Sequence, residues 1–242
     1  MANSFGSLIV ILLSVRAAFG DGISDGKQPV LVELFTSEGC SSCPPADAVL
    51  ARLDESQPVA GARIIVLSEH VDYWNHLGWV DPYSSPLFSA RQTAYAQRLR
   101  TQGPYTPQMV VDGRVEFVGS DMPAAESAVR NAVSQRRVAV RIAHHEGSAE
   151  VQVPPLPAGR ALIYAAYAAE GTQDVARGEN KGRRLRHVAI VRELKKVGSV
   201  SGRSGFKGLV PLRSGTRLVV FVQEPDGGPV WGSAMLASGA GQ

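Results

Sequence analysis

Apolar positions along residues 30–137 alternate between the period of a strand and that of a helix. Residues 30–36 (Val-Leu-Val-Glu-Leu-Phe-Thr) predict a strand, and 46–53 a helix with Val49, Leu50 and Leu53 on one side. Within 63–68, Ile64-Ile65-Val66-Leu67 is an unbroken apolar run, suited to a parallel strand buried on both faces. Residues 85–100 predict a second helix: Pro86 fits its first turn, and Leu87, Phe88, Arg91, Tyr95, Arg98 and Leu99 keep helical spacing. Residues 108–111 and 114–118 flank Asp112-Gly113, a pair that supplies the positive backbone angles of a tight hairpin turn. Asp121 is placed to cap a helix over 122–135. The order β-α-β-α-β-β-α predicts an α/β mixed sheet, with parallel neighbours first and an antiparallel last pair.

After Arg137 the pattern changes. Residues 138–142, 149–153, 161–169, 187–197, 200–209 and 216–223 predict strands separated by Pro-, Gly- and polar-rich turns, and 230–236 adds another. Such spacing predicts a mainly antiparallel β domain, sandwich or sheet. The domain expectation is therefore 29–137 for the α/β unit and 138–240 for an all-β unit packed on it.

Composition narrows the class. Of 242 residues, 44% are hydrophobic and 19% charged, which excludes a chain disordered throughout. The 25 Gly and 15 Pro are scattered without period, which excludes a collagen-like chain. Two cysteines exclude a disulfide-dense scaffold and a four-cysteine zinc site. Residues 1–137 hold 14 acidic against 11 basic side chains, and 138–242 hold 8 against 14. Twelve of those bases fall in 177–217, with Phe206 the single aromatic among them. The stretch reads as the solvated face of a β domain, with no nucleic-acid partner.

Residues 7–15 form an apolar run too short to span a membrane as a helix. With Ala18-Phe19-Gly20 ahead of Asp21, residues 1–20 fit a signal peptide and a secreted or periplasmic destination, although Lys and Arg are missing from the first seven positions. No later run approaches 18 apolar residues, so no membrane span is expected in the mature form.

The chemistry concentrates in Glu38-Gly39-Cys40-Ser41-Ser42-Cys43-Pro44-Pro45, between the first strand and the first helix. Two cysteines three residues apart at such a junction can bond to each other or share a metal. Unpaired N–H groups at a helix start stabilise a thiolate and make the sulfur a nucleophile. Pro44 and Pro45 lack N–H groups, so the regular helix is expected to begin at one of them, leaving the cysteines just ahead and weakening that effect on Cys40. Glu38, if turned inward, raises the Cys40 pKa. A loop this short removes little unfolded-state entropy, which disfavours a purely stabilising crosslink. Loops at the carboxyl ends of parallel strands share one sheet edge, so His70, Asp72, Tyr73, Trp74 and His76 are expected near the sulfurs. His70 or Asp72 is the candidate proton acceptor, and Tyr73, Trp74 and Trp79 are expected to form an apolar shelf. The alternative is a non-catalytic module, either a copper or zinc site of Cys40, Cys43 and His70 or a protein-interaction module. His144-His145 reads as a β-edge pair. Glu179 and Asn180, between Gly178 and Gly182, serve either as a clamp across the domain boundary or as a second wall of a substrate groove.

Cys-x-x-Cys after the first strand, with Thr106-Pro107 opening the strand before an Asp-Gly hairpin, resembles the thioredoxin fold. The resemblance implies a cis Pro107 facing the cysteines, with Thr106 and Pro107 positioning a thiol- or disulfide-bearing protein partner. No Trp precedes Cys40, and Ser41-Ser42 stand where thioredoxin proper has Gly-Pro. A longer match is Phe35-Thr36-Ser37-Glu38-Gly39-Cys40-Ser41-Ser42-Cys43-Pro44-Pro45-Ala46-Asp47 with His70-Val71-Asp72-Tyr73-Trp74 and Gly78-Trp79-Val80-Asp81-Pro82. With Arg177-Gly178-Glu179-Asn180-Lys181-Gly182-Arg183 and His187-Val188-Ala189-Ile190-Val191-Arg192, these resemble a family of secreted bacterial proteins, domain of unknown function 1223. The resemblance implies a thioredoxin-like fold and export and leaves the family's activity unassigned. Thiol-disulfide exchange through Cys40 and Cys43, with no cofactor, is expected from the cysteine pair, with both sulfurs open to a partner at the rim of the sheet.

Overall fold

The computed structural model describes residues 26–237. The expected signal peptide lies outside the described residues. Strands β1 (Gln28–Thr36) and β2 (Ala62–His70) run parallel, from Gln28 opposite Ala62 to Thr36 opposite His70. Helix α1 (Pro44–Ser56) connects them and does begin at the proline pair. It ends at Gln57, left-handed at φ 46°, whose side-chain amide donates to the Leu53, Asp54 and Ile64 carbonyls and accepts from Ile64 N–H. Helix α2 (Pro86–Leu99) starts from Ser85, whose hydroxyl accepts from Leu87 N–H. Helix α3 (Met122–Val133) starts from Asp121, which accepts from Ala124 N–H at 2.9 Å. Between these helices, β3 (Gln108–Val111) and β4 (Val115–Val118) form the hairpin, with Asp112 and Gly113 both at positive φ.

The second half contributes β5 (Arg141–His145), β6 (Ser148–Val153), β7 (Arg160–Asp174), β8 (Arg184–Ser201), β9 (Phe206–Pro211), β10 (Arg217–Gln223) and β11 (Val230–Leu236). Four of these extend the first sheet, giving the eight-stranded order β11-β10-β7-β8-β2-β1-β3-β4. The junction is the parallel pairing of β2 with β8 at Ser68 and Ile190. Strands β5, β6 and β9 make a separate antiparallel sheet. The fold is thus a large mixed sheet with few helices and a second antiparallel sheet. Alternation along β10 divides the core: Val219 and Phe221 join the cluster that includes α1 and α3, while Leu218, Val220 and Val222 face the small sheet.

Strands β7 and β8 run longer than the 161–169 and 187–197 expected, and two others depart in place. The strand expected over 138–142 begins at Arg141, because Val138 N–H is taken by Trp231 O at 2.7 Å. The strand expected over 200–209 is broken at 202–205, where the chain crosses from the large sheet to the small one. Gly205 sits at this crossing, and a Cβ there would lie 2.6 Å from Val153 O.

Candidate functional site

The cysteine turn follows directly from β1. Cys40 N–H donates to Ser37 O and Cys43 N–H to Cys40 O, each at 3.2 Å. This tight turn brings the two Cα atoms to 5.4 Å, and the sulfurs are bonded as a disulfide. Cys43 is the N-cap residue of α1 and makes no side-chain cap bond. Pro44 and Pro45 have no N–H, so the first donors of the helix are Ala46 and Asp47, both directed to Cys43 O.

Both cysteines are 0% exposed, which corrects the expectation of sulfurs open at the sheet rim. The cover comes from the other half of the chain. Residues 175–183, between β7 and β8, lie over the turn: Asn180 Nδ2 donates to the Glu38 and Cys40 carbonyls, each at 2.9 Å. Glu179 Oε2 accepts from Ser41 N–H at 3.0 Å, and the Ser41 hydroxyl together with that N–H lowers the Glu179 pKa. Of the two accounts of this segment, these bonds describe the clamp. On another side, an added Cβ at Gly39 would come 3.0 Å from Trp74 Cβ, so the 71–85 loop packs directly on the turn. Ser41 and Ser42 remain exposed.

Thr106-Pro107 is a cis peptide. Thr106 Oγ1 accepts from Trp74 Nε1 at 2.8 Å. Pro107 and Ala46 of α1 border the same spot, since a Cβ at Gly119 would lie 3.5 Å and 3.1 Å from their Cβ atoms. Trp79 Nε1 donates to Glu38 Oε2 at 2.8 Å, so the aromatic shelf carries polar bonds as well as apolar surface. Tyr73, Leu77 and Val80 are exposed on this loop.

The candidate proton acceptors do not stand free. His70 is buried at the end of β2, its Nδ1 2.7 Å from Asp81 Oδ2. Burial raises the Asp81 pKa, but His70 and the N–H groups of Glu38 and Tyr83 outweigh it and hold the carboxyl below its ordinary value. Asp72 faces α2, where Ser89 Oγ donates to its Oδ1. Among the described residues no three His, Cys, Asp or Glu side chains are grouped to hold a metal, so the copper or zinc set of Cys40, Cys43 and His70 is not assembled. The physical reason is that each sulfur is bonded to the other and His70 is bonded to Asp81. His76 is exposed, with Nδ1 at Tyr73 O, and His144 and His145 are exposed on β5, an edge strand of the small sheet.

Sequence reasoning gave no role to His187, Asp47 or Asp81. His187, on β8, is buried with Nε2 3.4 Å from Glu38 Oε1 and Nδ1 3.7 Å from Asp47 Oδ2. These are ion-pair rather than hydrogen-bond separations. Burial alone would lower the His187 pKa, but Asp47 and Glu38 push it up to about 9. Thr36 Oγ1 donates to Asp47 Oδ1, and the His187 ring meets His70 edge-on with centroids 4.7 Å apart. A break in the β7–β8 ladder places His187 here. Ala169 pairs with Ile190 and Gly171 with His187, so Val188 and Ala189 together stand opposite Glu170, one residue more than the ladder needs, and Ala189 is at φ 50°. Bulges of this kind re-aim side chains. The only sequence signal was that all three residues stand inside long motifs.

A buried disulfide turn clamped by a distant loop, at the parallel end of a mixed sheet, defines the class of protein. The chain belongs to the family described as protein of unknown function (DUF1223), whose model matches residues 31–223. An X-ray structure of a protein from Agrobacterium tumefaciens is similar at 28% identity and a TM-score of 0.73, covering 89% of this chain and 97% of that one. HBP35 of Porphyromonas gingivalis shares the fold at 15% identity and a TM-score of 0.59, over 89% of this chain and 77% of that one. No curated protein matches the chain. Among the described residues no helix is long and apolar enough to cross a membrane.

Proposed function

We propose that this is an exported, thioredoxin-like thiol-disulfide oxidoreductase working through Cys40 and Cys43. Its thioredoxin-like unit is residues 29–137, to which 138–240 add the clamp and His187. The observation that carries the reading is the Cys40–Cys43 disulfide itself, held between the first parallel strand and its helix. An oxidised pair also fits a secreted or periplasmic location. In the exchange, a partner thiolate attacks Cys40 Sγ, the S–S bond breaks, and Cys43 Sγ leaves with the electron pair and takes a proton. The partner's second thiolate then displaces Cys40, which is protonated in turn. Two electrons and two protons pass from the partner dithiol to the pair, and the reverse reaction uses the same atoms. In this reading the 175–183 clamp lifts to admit the partner, Thr106 and Pro107 position it, and the exposed Tyr73, Leu77 and Val80 offer it an apolar surface.

The burial of both sulfurs favours a second reading, a protein-interaction module in which the disulfide only staples the turn. Equilibrating the full mature chain in a glutathione series, with an insulin-reduction assay of wild type and Cys40→Ser, separates the two. A defined redox midpoint and turnover lost in Cys40→Ser support exchange. A pair that stays oxidised throughout, with equal background activity in both proteins, overturns it and supports the module.

A further inference from the structure

Glu38 precedes Cys40 by two residues, and Asp47 follows Cys43 by four. Asp47 N–H donates to Cys43 O at 3.1 Å, which puts both residues on the first turn of α1. Helical side chains lean toward the N-terminus, so the Asp47 carboxyl is aimed back toward the Cys43 side of the turn. Glu38 is fully buried and Asp47 nearly so. Two carboxylates beside a cysteine pair oppose formation of a thiolate unless a positive charge offsets them.

The groups facing this cluster come from β1, β2, the 71–85 loop, β8 and the 175–183 loop, which brings the Glu179 carboxylate to Ser41 N–H and the neutral Asn180 amide to the Glu38 and Cys40 carbonyls. The end of β1 offers the neutral Thr36 hydroxyl to Asp47. From β2 comes His70, engaged with Asp81. The 71–85 loop brings Asp81, Trp79 and Tyr83, whose pKa is raised by burial and by Glu38. From β8, Arg192 lies over the Tyr83 ring at 4.4 Å, while the exposed Arg186 pairs with Glu55. The remaining contribution is His187, whose two ring nitrogens face different carboxylates. At these ion-pair separations a neutral ring offsets neither carboxylate, whereas the imidazolium places its charge between both.

We propose that His187 is the positioning residue that neutralises Glu38 and Asp47 and so lets the reduced cysteine pair ionise. This rests on the thiol-disulfide reading of the site. Its raised pKa agrees with a charged ring at neutral pH. By linkage the effect runs both ways: a thiolate in the reduced protein must also make His187 harder to deprotonate.

The test uses the full mature chain, reduced and freed of reductant, with iodoacetamide alkylation followed from acid to alkaline pH. His187→Gln is expected to move the thiol midpoint up by about one unit, which slows alkylation on the acid side about tenfold. The double variant Glu38→Gln/His187→Gln, which removes one carboxylate along with the ring, is expected to return toward wild type. A merely structural histidine would not be rescued by a second substitution. A His187→Gln chain that folds and alkylates on the wild-type pH profile overturns the proposal. Should that variant not fold, NMR titration of His187 in the wild-type chain decides: different midpoints in oxidised and reduced protein support the coupling, and equal midpoints refute it. Wild-type failure in the glutathione series would instead remove the exchange reading, so the two failures are distinct.

Discussion

The side-chain amide of Asn180 donates to the backbone carbonyl of Cys40 at 2.9 Å across a separation of 140 residues. The same amide serves Glu38 O, so one side chain satisfies two carbonyls of the cysteine turn. Asn180→Ala leaves both without that partner, at a cost of about 1–3 kcal/mol. It also loosens the cover over the sulfurs. Stopped-flow reduction by dithiothreitol is therefore expected to run faster in the variant than in wild type, with faster hydrogen exchange at Ser41 N–H. A destabilised variant reduced at the wild-type rate would mean that the loop is not what shields the disulfide.

His187 makes oxidised-state stability depend on pH in a set direction. Its folded pKa, near 9, lies above the ordinary 6.5, so the stabilisation is complete below about pH 6.5 and is lost as pH rises through 9. The full swing is on the order of 3 kcal/mol. Urea titrations between pH 6 and 10 should show this decline, and His187→Gln should flatten it.

Arg91 joins the two halves at another buried site. Its guanidinium donates to Glu33, to Gln223 on β10 and to the Tyr95 hydroxyl, with Glu69 at 3.4 Å. Burial pushes the Glu69 pKa well up, against the pull of Arg91. Arg91→Met strands two carboxylates in the core, and the urea midpoint should fall by the equivalent of about 3–5 kcal/mol. Without the cation the Glu69 pKa rises further, so the deficit should shrink as pH is lowered and protons neutralise the buried acid cluster.

Gly119 stands where β4 leads to α3, against the helix that carries the cysteines. A Cβ there would lie 2.7 Å from Leu34 Cδ1 and 3.1 Å from Ala46 Cβ. Leu34 has a mobile side-chain end, but Ala46 gives way only if α1 shifts. Gly119→Ala is expected to cost about 1–3 kcal/mol by overpacking, read by thermal unfolding. The disulfide reduction rate should change as well, because α1 begins at the cysteine turn.

Local chemistry accounts for the parts of the fold that were legible in advance. The apolar run at 64–67, the Asp112-Gly113 turn, the proline start of α1 and the Asp121 cap each depend on neighbours within a few positions. The β5 and β9 boundaries were misplaced because distant groups decide them: Trp231 takes the Val138 N–H, and the chain changes sheets at Gly205. At the site, Cys40 and Cys43 were legible from spacing, whereas the roles expected of His70 and Asp72 assumed that proximity along a loop means free side chains. His70 is bound to Asp81 and Asp72 to Ser89.

By itself, the order of residues determined that two cysteines would meet at a strand–helix junction, because a turn of four residues admits few backbone paths. Only the tertiary structure decided what surrounds them. The joining of β8 to β2, the bulge that turns His187 inward and the loop that seats Asn180 on the turn bring together groups more than a hundred residues apart. Polar contacts and opposed charges across such separations act through space and leave no period in the chain.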